Sequence, residues 1–327
     1  MIYLRKFLQT LLIPLAVVCF IFSWNSFAQS YPTKPVKIIV PFAAGGPADN
    51  YARFMAQRLQ DELKQSFIVE DRPGAGSIIG TDFVAKSPND GYTLLMMSNT
   101  QTVNESLIPN KPFTLMKDFV GVAPINYSDL ILVVNPNVPV KNVSELIALA
   151  KAKPGKLNFA SSGNGTPYHM AGELFNALAG IDITHIPYKG SSGARTDVIG
   201  GQVDMMFDAV TTMNEFVKEN KVRALATSGK TRSNITPNIP TVAEDGVPKF
   251  ETTIWLGIMA PKGTPVEIVN RLNVAIRKII SQQDVRDLWA KQGAAPLSMS
   301  PAEFNKYLEA DIQKWAAIVK SAQIKPD

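Results

Sequence analysis

Short apolar runs rich in β-branched residues recur along the chain and alternate with stretches whose apolar residues fall three and four apart. The first pattern reads as buried strands and the second as amphipathic helices, an alternation that predicts βαβ units and mostly parallel sheets. Strands are expected at residues 36–40, 67–70, 93–97, 130–134, 157–160, 183–186, 203–207, 222–227 and 253–259. Between them, Ala52, Met55, Ala56, Leu59 and Leu63 form one helical stripe, and Met170, Ala171, Leu174, Phe175 and Leu178 another. Both stripes read as core.

Local punctuation refines this picture. Thr264-Pro265-Val266-Glu267 and Ser300-Pro301-Ala302-Glu303 both read as capping boxes with proline at the first helical position, so two long helices should close the chain. A strand, a glycine-rich loop and a helix start occur near residue 40 and again near residue 160, a loose duplication that suggests two similar lobes. Proline-flanked extended segments at 130–136 and 250–261 are the expected crossings between lobes. The expected division is lobe 1 from residues 29–130 plus 253–327, and lobe 2 from 131–252.

Residues 1–28 read as a signal peptide. Arg5 and Lys6 precede an apolar run from Phe7 to Trp24, and Ser26-Phe27-Ala28 supplies the small residues a signal peptidase needs. The rival reading, a permanent anchor, is opposed by Gln9, Thr10 and Pro14 inside the run. The single cysteine, Cys19, lies in this leader, so no thiol, disulfide or cysteine-held metal is expected in the mature protein. Loss of the leader changes 33 basic against 28 acidic residues to 31 against 28. That near-neutral balance, with no basic block, suggests neither nucleic acid nor an anionic membrane as a partner.

Two loops carry candidate chemistry. The first, Pro41-Phe42-Ala43-Ala44-Gly45-Gly46-Pro47-Ala48-Asp49, joins a strand to a helix, and the free N–H groups at that helix start suit a carboxylate. An equally simple reading is a tight turn in which Asp49 only complements the helix dipole. The second, Ser161-Ser162-Gly163-Asn164-Gly165-Thr166-Pro167-Tyr168-His169, repeats the plan, with Thr166 as cap and Pro167 as first helical residue. Neither loop has the glycine spacing of a dinucleotide or phosphate site, and no cofactor or metal is implied. Ser161 or Ser162 with His169 or His185 could be imagined as a hydrolase pair, but the nucleophile-elbow spacing is absent. Ser98, Asn99 and Thr100 follow a strand and could line a cleft or form an ordinary polar loop. Asp208 ends another strand and could hold a ligand amine, a water or a loop amide. Tyr188 to Gly193 is a third strand-to-helix loop, in which Lys189 reads equally as a solvated charge.

The ordered set of these segments resembles the TctC/Bug family of periplasmic solute-binding proteins that serve tripartite tricarboxylate transporters. The resemblance runs through Tyr31-Pro32-Thr33-Lys34-Pro35-Val36, the first loop with Asp49, and Glu70-Asp71-Arg72-Pro73-Gly74-Ala75-Gly76. It continues through Asp90-Gly91-Tyr92-Thr93-Leu94, Gly163-Asn164-Gly165-Thr166 with His169, Pro187-Tyr188-Lys189-Gly190, Gly201-Gln202-Val203-Asp204 and Phe207-Asp208. It implies an α/β, two-lobed type II periplasmic-binding-protein fold that closes over an organic anion without catalysing a reaction. The implied ligand-binding residues are Phe42, Ala43, Ala44, Gly45 and Gly46, opposed by Ser162, Gly163, Asn164, Gly165, Thr166 and His169. Ser98, Asn99, Thr100 and Asp208 stand as further neighbours. One departure is Ala48, which precedes Asp49 where family members usually carry threonine; the backbone site remains while a hydroxyl is lost. The implied protein is a periplasmic monomer that binds a small organic acid and delivers it to membrane transporter subunits. A binding protein for an ABC importer and a secreted hydrolase are the rival readings.

Overall fold

The computed structural model describes residues 31–325; the expected leader lies outside them. Strand β1 (Val36–Val40) is buried at four of its five positions, so both its faces are covered, as its unbroken apolar run requires. It lies between the parallel strands β2 (Phe67–Asp71) and β3 (Thr93–Ser98). The arrangement recurs with β5 (Asn158–Ser161) between the parallel strands β6 (Thr184–Pro187) and β7 (Met205–Ala209). Each triplet has the order second, first, third, so the chain reverses its progress across the sheet beside β1 and beside β5. In open α/β sheets such a reversal leaves a crevice at the carboxyl ends of the strands.

The triplets are parallel, but the strands joining them are not. The chain has one 16-residue strand, β4 (Phe119–Val134), where the apolar pattern suggested only residues 130–134. Its first part, to Asp129, runs antiparallel to β9 (Thr253–Pro261). From Leu130 onward it runs antiparallel to β7 and β8 (Arg223–Thr227). The early part escaped notice because Gly121 and Pro124 interrupt its pattern; the register with β9 shifts at both places, the kind of irregularity that lets a strand hold glycine and proline. Strand β9 also pairs antiparallel with β3, and the short β10 (Ala294–Pro296) adds to β4 at Asn126 to Ser128.

Helices cover the sheet: α1 (Pro47–Leu63), α2 (Ile78–Ala85), α3 (Asn99–Leu107), α4 (Leu115–Asp118), α5 (Val143–Ala152), α6 (Pro167–Ala179), α7 (Ser191–Gly200) and α8 (Val210–Lys218). The chain closes with α9 (Val266–Ser281), α10 (Gln283–Gln292) and α11 (Pro301–Ser321), one more helix than the caps suggested. Ser300 and Glu303 form the expected capping box on α11. Thr264 caps nothing: Pro265 occupies the cap position itself, so Thr264 stands one residue too early and its hydroxyl donates to the Pro261 carbonyl at 2.8 Å.

Alternation along the second part of β4 sorts its side chains into two cores. Leu130, Leu132 and Val134 pack with Phe159, Phe175, Phe207 and Phe250, while Ile131 and Val133 pack with Met206, Met213 and Val198. Around the first triplet, Ile39, Leu95 and Met97 meet Trp255, Phe304 and Leu308. Helix α6 rests so closely on β5 that a Cβ at Gly172 would lie 2.2 Å from the Phe159 ring. Glycine is therefore required there by contact rather than by backbone angle.

Asp129 sits where β4 changes partners. Burial, with the nearby charge of Glu251, pushes its carboxyl from 3.8 up to about 6. The folded protein therefore holds this proton more tightly than the unfolded chain between about pH 4 and 6, and stability falls as pH rises across that window. Asp129→Asn is expected to remove that fall and to raise the melting temperature more at pH 7.5 than at pH 4.5; equal shifts at both pH values would contradict the assignment.

Candidate functional site

The two glycine-rich loops occupy equivalent places, at the carboxyl ends of β1 and β5. In the first, Pro47 begins α1 and Gly46 precedes it without a side-chain cap. Proline has no N–H and glycine no capping atom, so the first turn keeps open donors. Buried Asp49 accepts the Gly45 N–H at 2.9 Å and pairs with Arg53 at 2.6 Å, which holds the loop against the helix. The amides of Gly46 and Ala48 have no hydrogen-bond partner among the described residues.

The second loop solves the same problem with different atoms. Thr166 caps α6 by accepting the His169 N–H, and its hydroxyl donates to the Gly163 carbonyl at 2.7 Å. The Gly163 N–H donates to Ser161 Oγ at 3.0 Å, and the Gly165 N–H to His169 Nδ1 at 3.1 Å. Burial, aided by neighbouring His185, pulls His169 down to about 3. It is therefore neutral, with its proton on Nε2, and acts as an acceptor that braces the loop. Ser162 and Tyr168 keep backbone N–H groups without partners among the described residues. Gly165, at φ +73°, has no room for a side chain: a Cβ would lie 2.1 Å from Asn104 Oδ1.

Both helix starts line one cavity with about 330 Å³ of empty space. Phe42, Ala43, Gly46, Pro47 and Ala48 come from the first loop and helix, and Ser162, Pro167 and Tyr168 from the second. Ser98 and Thr100 enter from the end of β3, Ser191 from the start of α7, and Ile254 and Leu256 from one face of β9. Ser98 is fixed as the cap of α3, in a capping box with Gln101, and its hydroxyl donates to Thr100 Oγ1 at 2.8 Å. Two bonds tie the first loop to the third: the Ala43 N–H donates to the Lys189 carbonyl at 3.2 Å, and Ser192 Oγ donates to the Ala44 carbonyl at 3.0 Å.

The other expected residues stand back from the cavity. Ala44 and Gly45 shape the first loop. Gly163 and Asn164 line an adjoining recess that shares Phe42 and Ser162 with the cavity. Gly165, Thr166 and His169 brace the second loop, and Asn99 donates to the Thr253 carbonyl at 3.0 Å. Asp208 is fully buried behind Ser191, where Arg195 Nε approaches it at 2.8 Å and the Ala209 N–H at 2.8 Å. Burial raises its carboxyl, while Arg195, Ala209 and Thr212 oppose that rise.

Tyr168, Ser191, Arg195, Ile254 and Leu256 were not singled out from the sequence. Tyr168 directly follows Pro167 at a helix start and Ser191 follows Gly190 at another, so the loop logic already used could have reached both. Ile254 and Leu256 lie in an apolar strand with no local sign of which face meets a cavity. Arg195 is legible only once Asp208 lies beside it. Ser161 and His185 do meet, with Oγ 2.6 Å from Nε2. That hydroxyl is fully buried, already receives the Gly163 N–H, and does not line the cavity.

Comparison with known proteins agrees with this geometry. Residues 51–324 match the family described as "Tripartite tricarboxylate transporter family receptor", TctC. Protein BugT of Bordetella pertussis is 39% identical over 300 residues, covering 91% of this chain and 92% of that one. A Pseudomonas protein encoded in the tcbD-tcbE intergenic region is 36% identical over 292 residues, covering 89% and 87%. Among solved structures, R. palustris Rpa4515 with adipate superposes with a TM-score of 0.88 at 33% identity, covering 91% of this chain and 100% of that one. MatC from Rhodopseudomonas palustris with bound malate gives 0.85 at 30% identity, covering 88% and 100%. With its fold and overall sequence in common with these proteins, the chain belongs to the TctC/Bug family of periplasmic solute-binding proteins.

Proposed function

We propose that this protein captures a small organic carboxylate in the periplasm and delivers it to the membrane subunits of a tripartite tricarboxylate-type transporter. The observation that carries the reading is the convergence of two proline-started helices on one cavity, each with unpartnered backbone N–H groups. A carboxylate is the group that such donors and the positive ends of two helix dipoles recognise. The family match and the related structures holding adipate and malate support it. The residues assigned to the ligand are Gly46, Ala48, Ser98, Thr100, Ser162 and Tyr168, with Phe42 and Ala43 closing over it. Residues 1–28 act as the exported leader, and one chain is the binding unit.

Entry and release require the loops that line the cavity from both sides to separate. The halves that move are residues 29–130 with 253–327, and 131–252, hinged where β4 changes partners. Ligand binding then shifts the population toward the closed form, through contacts available only there. The membrane subunits would read that closed shape. A catalytic role finds no support in the cavity, since Ser161 is withdrawn from it and none of the lining residues is a histidine or an acid.

Two outcomes are expected. Small-angle scattering should record a smaller radius of gyration when a carboxylate identified by calorimetry is added; a tight carboxylate ligand without compaction would refute closure. Ser192→Ala, which removes the hydroxyl bonded to Ala44, should weaken that ligand by about two- to tenfold through faster release, with little change in ligand-free stability. Unchanged release kinetics would remove Ser192 from the closing contacts.

A further inference from the structure

The cavity is uncharged among the described residues: its polar side chains are Ser98, Thr100, Ser162, Tyr168 and Ser191, and the remaining walls are apolar. Neither neighbouring cation lines it. Arg195 is bound to Asp208 behind Ser191, and Lys189 is exposed and borders the adjoining recess. Positive potential inside therefore comes from two helix starts, each equivalent to about half an elementary charge, or about one charge in all. That balances one carboxylate. A second would be desolvated against Phe42, Ile254 and Leu256 with nothing opposite it, the costly case for a buried ion.

One residue of the wall carries a buried hydroxyl without a well-formed partner. Tyr168 is 3% exposed, and its hydroxyl makes no hydrogen bond of normal geometry, although Ser191 and the Ala209 N–H are close. Burial and the charge of Asp208 hold it well above the usual tyrosine range, so it remains a neutral donor.

We infer that the ligand is a monocarboxylate whose far end is uncharged and accepts a hydrogen bond from Tyr168. This rests on the carboxylate reading above and narrows it, setting the chain apart from the related proteins solved with adipate and malate.

Calorimetry on the purified protein with matched series tests it: the dicarboxylates from malonate to adipate, their half-amides and their diamides. The half-amide of the best-fitting length should bind at least about tenfold more tightly than both its dicarboxylate and its diamide. A dicarboxylate that binds as tightly as its half-amide overturns the inference while leaving the carboxylate site standing. A diamide that equals the half-amide overturns the carboxylate site itself, and so does a series in which no member binds. Tyr168→Phe should cost the half-amide about five- to tenfold in affinity while the protein's melting temperature is kept or raised. The same half-amide affinity in a folded Tyr168→Phe protein overturns the role of Tyr168.

Discussion

The arrangement depends on hydrogen-bond donors that the fold leaves unused. A helix start exposes N–H groups that nothing within the helix can satisfy, and a protein normally caps them or gives them to water. Here α1 and α6 both begin with proline, both follow a strand that ends at a reversal of strand order, and both line the same cavity with their first residues. Around those groups, other amides of each loop are taken up within it. Asp49 takes the Gly45 amide, His169 takes the Gly165 amide, and Ser161 takes the Gly163 amide. Gly46, Ala48, Ser162 and Tyr168, whose amides are left over, line the cavity.

This division of labour explains why so many polar residues near the site do not touch the cavity. Donors act on a ligand only if they are already oriented when it arrives, and orientation comes from the neighbours that hold each turn. The Arg195–Asp208 pair does the same at longer range. It anchors the end of β7 to the start of α7, and Ser191 stands on that anchor at the cavity wall. As the two charges answer each other, the pair stiffens the wall without bringing a net charge to it.

Much of this could be read from the chain before folding was considered. The two loops, their prolines and the Thr166 cap are local features, and local chemistry decided them. Long β4 was hidden because Gly121 and Pro124 break its apolar pattern, and only pairing with β9 reveals that the strand accommodates them by shifting register. Thr264 misled for a related reason: the spacing of a capping box was present, but the helix begins one residue later than that spacing assumes. Tyr168, Ile254 and Leu256 reach the cavity through tertiary packing, which leaves no mark on residue spacing. The N–H groups of Gly45 and Gly165 serve the loops, bonding Asp49 and His169.

The central claim is that a charged carboxylate is held by groups that do not themselves titrate near neutrality. The most direct measurement is the affinity of an identified carboxylic acid ligand from pH 3.5 to 8. The account predicts an affinity that is level from about pH 6 to 8 and falls about tenfold per pH unit once the acid's own carboxyl becomes protonated. An affinity that rises as the pH drops through that point would mean the neutral acid is the bound species, and would contradict it.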